Sequence, residues 1–95
     1  MAAYVIAKVW VEDKDGYELY RQMVAPTIER FGGRFLARGG RIEVLEGDPC
    51  SDRVIIVEFP NYETALEWYS SAEYAPAKTQ RMSASEAELT IVDGL

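Results

Sequence analysis

Hydrophobic and polar residues alternate near the start of the chain in the pattern expected of a β-strand. The run from Tyr4 to Val11 is rich in β-branched and aromatic residues, which favour strands. Because successive strand side chains point to opposite faces, one face is uniformly apolar and the other is mixed. The apolar face carries Val5, Ala7, Val9 and Val11, and the mixed face carries Tyr4, Ile6, Lys8 and Trp10.

The following segment has the spacing of three and four residues that is typical of a helix. Its apolar face comprises Tyr17, Tyr20, Val24, Ile28 and Phe31. Asp15 with Glu18 three residues later resembles a capping box, and Asp13 is an alternative cap. Pro26 is expected to kink the helix, and the Gly32-Gly33 pair is expected to end it.

Two extended runs, Arg34–Arg38 and Arg41–Glu46, flank the pair Gly39-Gly40. Two glycines between extended runs are typical of a tight hairpin turn, because such turns need positive φ angles. Arg53–Phe59 is the most apolar run of the chain and predicts a central strand.

The last third predicts a second helix capped by Asn61, then a further helical piece with Pro76 in its first turn that ends near Ala84. The final strand is expected over Glu88–Val92. In the second helix, Trp68 is expected at the margin of the buried stripe. That stripe is predicted to comprise Ala65, Leu66, Tyr69 and Ala72.

The order of elements is β-α-β-β-α-β, with no linker or repeat to divide residues 1–95 into more than one domain. It predicts an α+β, ferredoxin-like split βαβ sandwich, in which an antiparallel sheet carries its helices on one face. The first and third strands are expected to lie centrally, parallel to each other.

The sheet face without helices is predicted to be apolar, since Val54 and Ile56 join the mixed face of the first strand there. An apolar face of this size needs a partner, and the simplest one is a second copy, which would form a dimeric α+β barrel. Lys8 and Glu58 would lie inside that barrel. There Glu58 acts as a general base and Lys8 binds an anion, or the two charges neutralise each other.

Further candidates flank this interior. Arg34 and Arg38 are expected to share a face with Leu36, where a guanidinium would bind a substrate carboxylate or remain solvated at the sheet edge. Trp68 and Tyr69 would wall a ligand pocket or simply belong to the core.

Composition narrows the function further. A net charge of −6 with ten Lys and Arg argues against nucleic acid and anionic membranes. The chain has no histidine, which excludes Ser-His-Asp and Cys-His catalysis and histidine-ligated metals or haem. Cys50 is the single cysteine, so we expect a reducing, cytoplasmic location, no metal site and no cofactor.

Several segments together resemble the domain-of-unknown-function family thirteen-thirty of the dimeric α+β barrel superfamily. They are Ala3 to Ala7, Tyr17-x-x-Tyr20, Gly32 to Gly40, Val44 to Gly47, Glu58-Phe59-Pro60 and Trp68 to Tyr74. The resemblance implies a ferredoxin-like protomer and a homodimer, and its matched positions Arg38, Glu58, Trp68 and Tyr69 are candidate site residues. Relatives of this superfamily include cofactor-independent monooxygenases and isomerases, as well as haem enzymes whose histidine is missing here.

Two functions are therefore open. In the first, the protein is a cofactor-free enzyme, similar to a monooxygenase or isomerase, that acts on a small organic molecule in the barrel interior. Arg38 and Glu58 would be catalytic, and Lys8, Trp10, Tyr4, Trp68 and Tyr69 would contact the ligand. In the second, the protein is a non-catalytic homodimer that binds a small molecule or has a structural role.

Overall fold

The sheet has four strands in the spatial order β2-β3-β1-β4, as a ferredoxin-like fold requires. The computed structural model describes all residues of the chain, 1–95. Its elements are β1 (Ala3–Val11), α1 (Lys14–Arg30), β2 (Arg34–Arg38), β3 (Arg53–Phe59), α2 (Tyr62–Ser70), α3 (Ala75–Ala84) and β4 (Ser85–Asp93).

Every neighbouring pair of strands is antiparallel, so the predicted parallel arrangement of the first and third strands is wrong. The helix α1 returns the chain so that β1 and β2 run in the same direction. Because β2 pairs antiparallel with β3, which lies between them, β3 must run against β1. The two strands are nevertheless central, as predicted.

The core lies between the sheet and the helices, on the sheet face predicted from alternation. Val5 and Val9 of β1 and Val57 and Phe59 of β3 are buried in one hydrophobic cluster with side chains of all three helices. On the opposite face, Lys8 and Trp10 are exposed. The predicted division of β1 and β3 into a core face and an uncovered face is therefore confirmed.

Helix α1 begins at the alternative cap. The side chain of Asp13 accepts a hydrogen bond from the backbone N–H of Gly16 at 3.2 Å, so Asp15 lies inside the first turn. The helix runs through Pro26 to Arg30, and Gly32 follows with a φ of 75°, the left-handed conformation that glycine adopts without strain.

Residues 41–46 form no strand, so the predicted hairpin around Gly39-Gly40 is wrong. Strand β2 pairs instead with β3 across a long irregular connection, because β3 offers the more apolar partner. Ile42, Val44 and Leu45 remain exposed in that connection, so the burial of their side chains does not stabilise a strand there. Asp52 closes it by accepting a hydrogen bond from the backbone N–H of Val11 at 2.8 Å.

The buried stripe of α2 also differs from the prediction. Trp68 is 2% exposed at the centre of the core, whereas Leu66 is 44% exposed. The indole N–H of Trp68 donates to the Thr27 hydroxyl at 3.0 Å, and its ring packs 4.2 Å from that of Tyr74 and 5.3 Å from that of Phe59. Because of these contacts, α2 is oriented with Trp68 in the core and Leu66 on the surface.

No helix of the protein combines the length and the apolar character that crossing a bilayer demands.

Candidate ligand-binding site

A β-bulge in β2 determines which side chains reach the interior. Phe35 lies opposite Val57, and Ala37 lies opposite Ile56, so Leu36 is an extra residue between them. A bulge reverses the facing of every residue that follows it. Arg38, opposite Ile55, therefore points to the helix side of the sheet, while Arg34 stays on the outer side. The prediction that Arg34 and Arg38 share a face is wrong for this reason.

Arg38 reaches an internal cavity of about 40 Å³ between the sheet and the helices. Apolar and aromatic side chains from all four strands and from α1 and α2 make most of its wall. The charged side chains that line it are Arg21, Arg38, Arg53 and Arg81. No carboxylate lines it, which is unusual because buried cations are normally paired.

Three of these arginines are connected through the backbone. The Nη2 of Arg38 donates to the carbonyl oxygen of Arg21 at 2.7 Å, and the Nη2 of Arg53 donates to the carbonyl oxygen of Arg38 at 3.1 Å. The guanidinium of Arg38 also stacks 4.1 Å above the ring of Phe35. These contacts fix the positions of the guanidinium groups. Arg21 also pairs with Glu18, whose carboxylate accepts a hydrogen bond from its Nη1 at 3.0 Å, whereas Arg38 and Arg53 have no carboxylate partner.

Two donors at this site have no acceptor. The Nε atoms of Arg21 and Arg53 are buried and make no hydrogen bond within the protein. A buried donor without a partner costs free energy of about 1–3 kcal/mol. A water molecule or the oxygen of an anion in the cavity would supply an acceptor for such groups.

The electric charge of the cavity is positive at neutral pH. Burial lowers the pKa of Arg38, and the positive charges of Arg21 and Arg53 lower it further. Arginine nevertheless stays protonated in proteins. Burial raises the pKa of the Tyr17 phenol, which the charge of Arg53 only partly offsets, and burial also raises that of Tyr20. Both phenols are therefore neutral, and among the four guanidinium groups only that of Arg21 is balanced by a carboxylate, that of Glu18.

Arg81 is 5% exposed and forms the wall of the cavity on the α3 side. Its Nε donates to the Tyr74 hydroxyl at 3.4 Å, and this hydroxyl lies 3.3 Å from that of Tyr20. Burial opposes the charged form, but the hydrogen bond with Tyr74 leads, with the other tyrosines, to a raised pKa for Arg81. No salt bridge neutralises this guanidinium.

Gly39 allows Arg53 to occupy its position. It has a φ of 76°, and a Cβ atom added there would overlap the guanidinium of Arg53. The adjacent Gly40 has no atom within 4 Å of such a Cβ and no positive φ. Gly39 therefore leaves room for the side chain of Arg53, and Gly40 has no part in this packing.

We expect Gly39→Ala to lower the free energy of unfolding by about 1–2 kcal/mol, because alanine disfavours a positive φ. It should also displace Arg53. Urea unfolding measures the first effect, and Gly40→Ala is the matched control. Equal losses of unfolding free energy for the two variants would show that neither the positive φ of Gly39 nor its contact with Arg53 affects stability.

The remaining predicted residues lie elsewhere. Tyr4, Lys8, Trp10 and Glu58 are on the outer face of the sheet, with the sheet itself between them and Arg38. Lys8 is opposite Val54 on one side and Glu88 on the other, so it does not pair with Glu58. The carboxylate of Glu58 instead accepts a hydrogen bond from Arg34 at 2.7 Å.

Trp68 lines the cavity and also belongs to the hydrophobic core. Tyr69 lies just outside it, where its ring contacts the Nζ of Lys78 at 4.2 Å. Of the two residues predicted as catalytic, Arg38 is at the cavity and Glu58 is not. The structure thus brings Arg38 and Trp68 together and separates both from Glu58.

The family model described as "Domain of unknown function (DUF1330)" matches residues 2–95. The chain belongs to this family. The resemblance noted in the sequence is confirmed, and the DUF1330 assignment covers the whole of the cavity described above. No functionally curated protein matches the chain.

Solved structures share the fold of this DUF1330 chain. A protein of unknown function from Rhodopseudomonas palustris is 22% identical with a TM-score of 0.82, over 99% of this chain and 82% of that one. SnoaB from Streptomyces nogalater, a cofactor-independent oxygenase, is 14% identical with a TM-score of 0.59, over 99% and 93%. A dimeric protein of unknown function with a ferredoxin-like fold from Bacteroides fragilis is 11% identical with a TM-score of 0.57, over 98% and 96%.

Sequence reasoning missed three of the four arginines, although each has a positional signal. Arg53 continues the core-facing alternation of β3, two residues before Ile55. Arg21 lies one helical turn after Tyr17, and Arg81 lies one turn after the buried Ala77. A charged residue on a face that is otherwise apolar marks each position.

No group of three or more His, Cys, Asp or Glu side chains is arranged to hold a metal ion.

Proposed function

We propose that this protein binds a small organic anion in the arginine-lined cavity and acts on it without a cofactor. The observation that carries the proposal is the group of four guanidinium side chains, with two unpaired Nε donors, in which Arg21 alone has a carboxylate partner. Carboxylates and enolates have the charge and the planar oxygens that guanidinium groups bind best. The candidate site differs from the sequence-based one, since it lies within one protomer and not between two sheets.

The chemistry that such a site favours is formation of an enolate. When a carbon next to a carbonyl group loses a proton, negative charge develops on the carbonyl oxygen. Fixed guanidinium groups in a cavity with mostly apolar walls stabilise that charge strongly. Isomerisation returns the proton to a different carbon, and oxygenation lets the enolate react with O₂. The cavity has no carboxylate or imidazole to accept the proton, so a basic group of the substrate, or a hydroxide ion from the solvent that becomes water, serves as the base.

We expect Arg38→Met to weaken the binding of 2-oxobutanoate by about 10- to 100-fold, because a charge-assisted hydrogen bond contributes roughly 1.5–3 kcal/mol. Isothermal titration calorimetry measures this. Arg34→Met is the matched control, since it removes an arginine from the same strand on the other face of the sheet. Equal affinities for the wild type and Arg38→Met would refute the proposed site.

Turnover is tested on the same ligand in deuterium oxide. Exchange of its C3 protons for deuterium, followed by NMR, reports formation of the enolate. Faster exchange with the wild type than with Arg38→Met supports an enzyme. Binding without accelerated exchange would instead support the second function, a non-catalytic small-molecule-binding dimer. That function is favoured because no carboxylate or imidazole lines the cavity to accept a proton.

We also propose a homodimer in a reducing, cytoplasmic setting. Support comes from the outer sheet face, where Trp10 is 38% exposed and Val92 44% exposed, and from the Bacteroides fragilis relative described as dimeric. Tyr4, Lys8 and Glu58 would then lie at the interface between sheets. A native mass spectrum of twice the chain mass supports this arrangement, and the mass of a single chain counts against it.

A further inference from the structure

The enclosed cavity is too small to hold a whole organic ligand. Its volume is about 40 Å³, whereas small-molecule pockets usually measure roughly 300–1,000 Å³. A single buried water needs roughly 10–15 Å³ on the same measure. The cavity therefore accommodates one anionic group beside the arginines, and the rest of a ligand has to lie in an adjoining groove.

Two grooves adjoin the cavity, and their chemistry differs. The first, of about 400 Å³, opens between α1 and the start of β3 and shares Tyr17, Arg21 and Arg53 with the cavity. Its outer wall includes Glu18 and Asp52. Lys14, Arg21 and Arg53 complete its charged lining, and Val11 and Tyr17 are its hydrophobic residues. An apolar ligand body in this polar groove would desolvate the charged groups.

The second groove, of about 410 Å³, lies between β4 and the helices α2 and α3. It shares Val5, Trp68, Arg81 and Leu89 with the cavity. Beyond these shared residues its wall is entirely hydrophobic and consists of Tyr62, Tyr69, Met82, Ala87 and Ile91. We call it the β4 groove.

Arg81 lines both the cavity and the β4 groove, and it is the sole charged residue of that groove. Its guanidinium is bonded to the Tyr74 hydroxyl at 3.4 Å and has no carboxylate partner. A molecule that extends from the cavity into the β4 groove therefore passes from four cationic side chains to an apolar wall.

We infer that the ligand is amphipathic, with a carboxylate or enolate beside Arg21, Arg38 and Arg53 and an apolar chain or ring that lies in the β4 groove. This inference rests on the proposed function and specifies its substrate class. The polar groove then remains open for the entry of water and small molecules.

The test is a series of straight-chain carboxylates from acetate to octanoate, with affinities measured by isothermal titration calorimetry. Each additional methylene that enters an apolar groove should strengthen binding by up to about fourfold. Met82→Gln makes the wall of the β4 groove polar, and it should reduce this gain per methylene and weaken octanoate binding at least fivefold. Met82 is 59% exposed, so the substitution is compatible with folding.

Leu19→Gln is the matched control, because Leu19 is 49% exposed on α1 and lines none of these sites. Affinity that does not rise with chain length, while Arg38→Met still weakens binding, would refute the β4 groove and leave the anion site intact. Affinity that rises with chain length, is matched by 1-octanol and is insensitive to Arg38→Met would retain the groove and refute the anion site. No binding of any member would refute both.

Discussion

Replacing Trp68 with alanine is expected to lower the free energy of unfolding by about 3–5 kcal/mol. Trp68 is 2% exposed and packs against the rings of Phe59 and Tyr74. The substitution also leaves the Thr27 hydroxyl without its indole donor. A domain of this size has a total stability of roughly 5–15 kcal/mol, so the loss removes a large share of it.

Urea unfolding monitored by circular dichroism measures the effect, and Leu66→Ala is the control on the same helix. Leu66 is 44% exposed, and its truncation should cost no more than about 0.5 kcal/mol. If Trp68→Ala fails to fold, Trp68→Phe keeps the test available, because it retains most of the packing and removes the hydrogen bond. A larger loss for Leu66→Ala than for the tryptophan variants would contradict the observed orientation of α2.

Trp68 and Leu66 also show that the spacing of apolar residues does not always identify the buried face of a helix. The spacing of apolar residues in α2 fits two overlapping stripes, one through Leu66 and Tyr69 and the other through Ala65 and Trp68. Tertiary contacts decide between them, since the Thr27 hydroxyl on α1 accepts the indole N–H. No pattern within α2 carries that information.

The strand faces were more predictable than the helix faces. Alternation in β1 and β3 assigns Val5, Val9 and Val57 to the core without reference to any other element, and the structure agrees. It fails in β2, where the bulge at Leu36 changes the facing of Arg38. A bulge depends on how two strands pair, so the sequence of one strand cannot specify it.

The candidate site could be predicted only in part for the same reason. Arg38 and Trp68 were identified as candidates, but Arg38 was placed on the wrong face of the sheet. Glu58 was grouped with it because both were assigned to a single interior. In the structure the sheet separates them, and Glu58 is paired with Arg34 at 2.7 Å. The cluster around Arg38 depends on how α1, β2 and β3 pack against one another, which the sequence of no single element specifies.

The net charge of the chain also does not indicate a cationic cavity. The chain has a net charge of −6, which argues against anionic membranes and identifies no partner. The charged side chains that line the interior cavity are nevertheless all arginines.

Strongly alkaline solution is expected to unfold this protein through its buried phenols. Burial is the main cause of the raised pKa of Tyr20, and Tyr74 raises it further. Unfolding returns the phenol to a pKa near 10. The stabilisation from such a group is complete below pH 10 and is lost as the pH rises through the folded-state pKa. For Tyr20 this loss is about 1.4 kcal/mol per pH unit above 10. Burial also raises the pKa of Tyr17, so Tyr17 contributes in the same direction.

Urea unfolding of the wild type and Tyr20→Phe at pH 8, 10 and 11.5 tests this expectation. At pH 8 the variant should be less stable by about 1 kcal/mol, because it lacks the hydrogen bond to Tyr74. At pH 11.5 that difference should vanish or reverse, since phenylalanine has no proton to lose. Tyr62→Phe, which removes an exposed hydroxyl, is the matched control. Parallel loss of stability in the wild type and Tyr20→Phe would show that a group other than Tyr20 causes the alkaline transition.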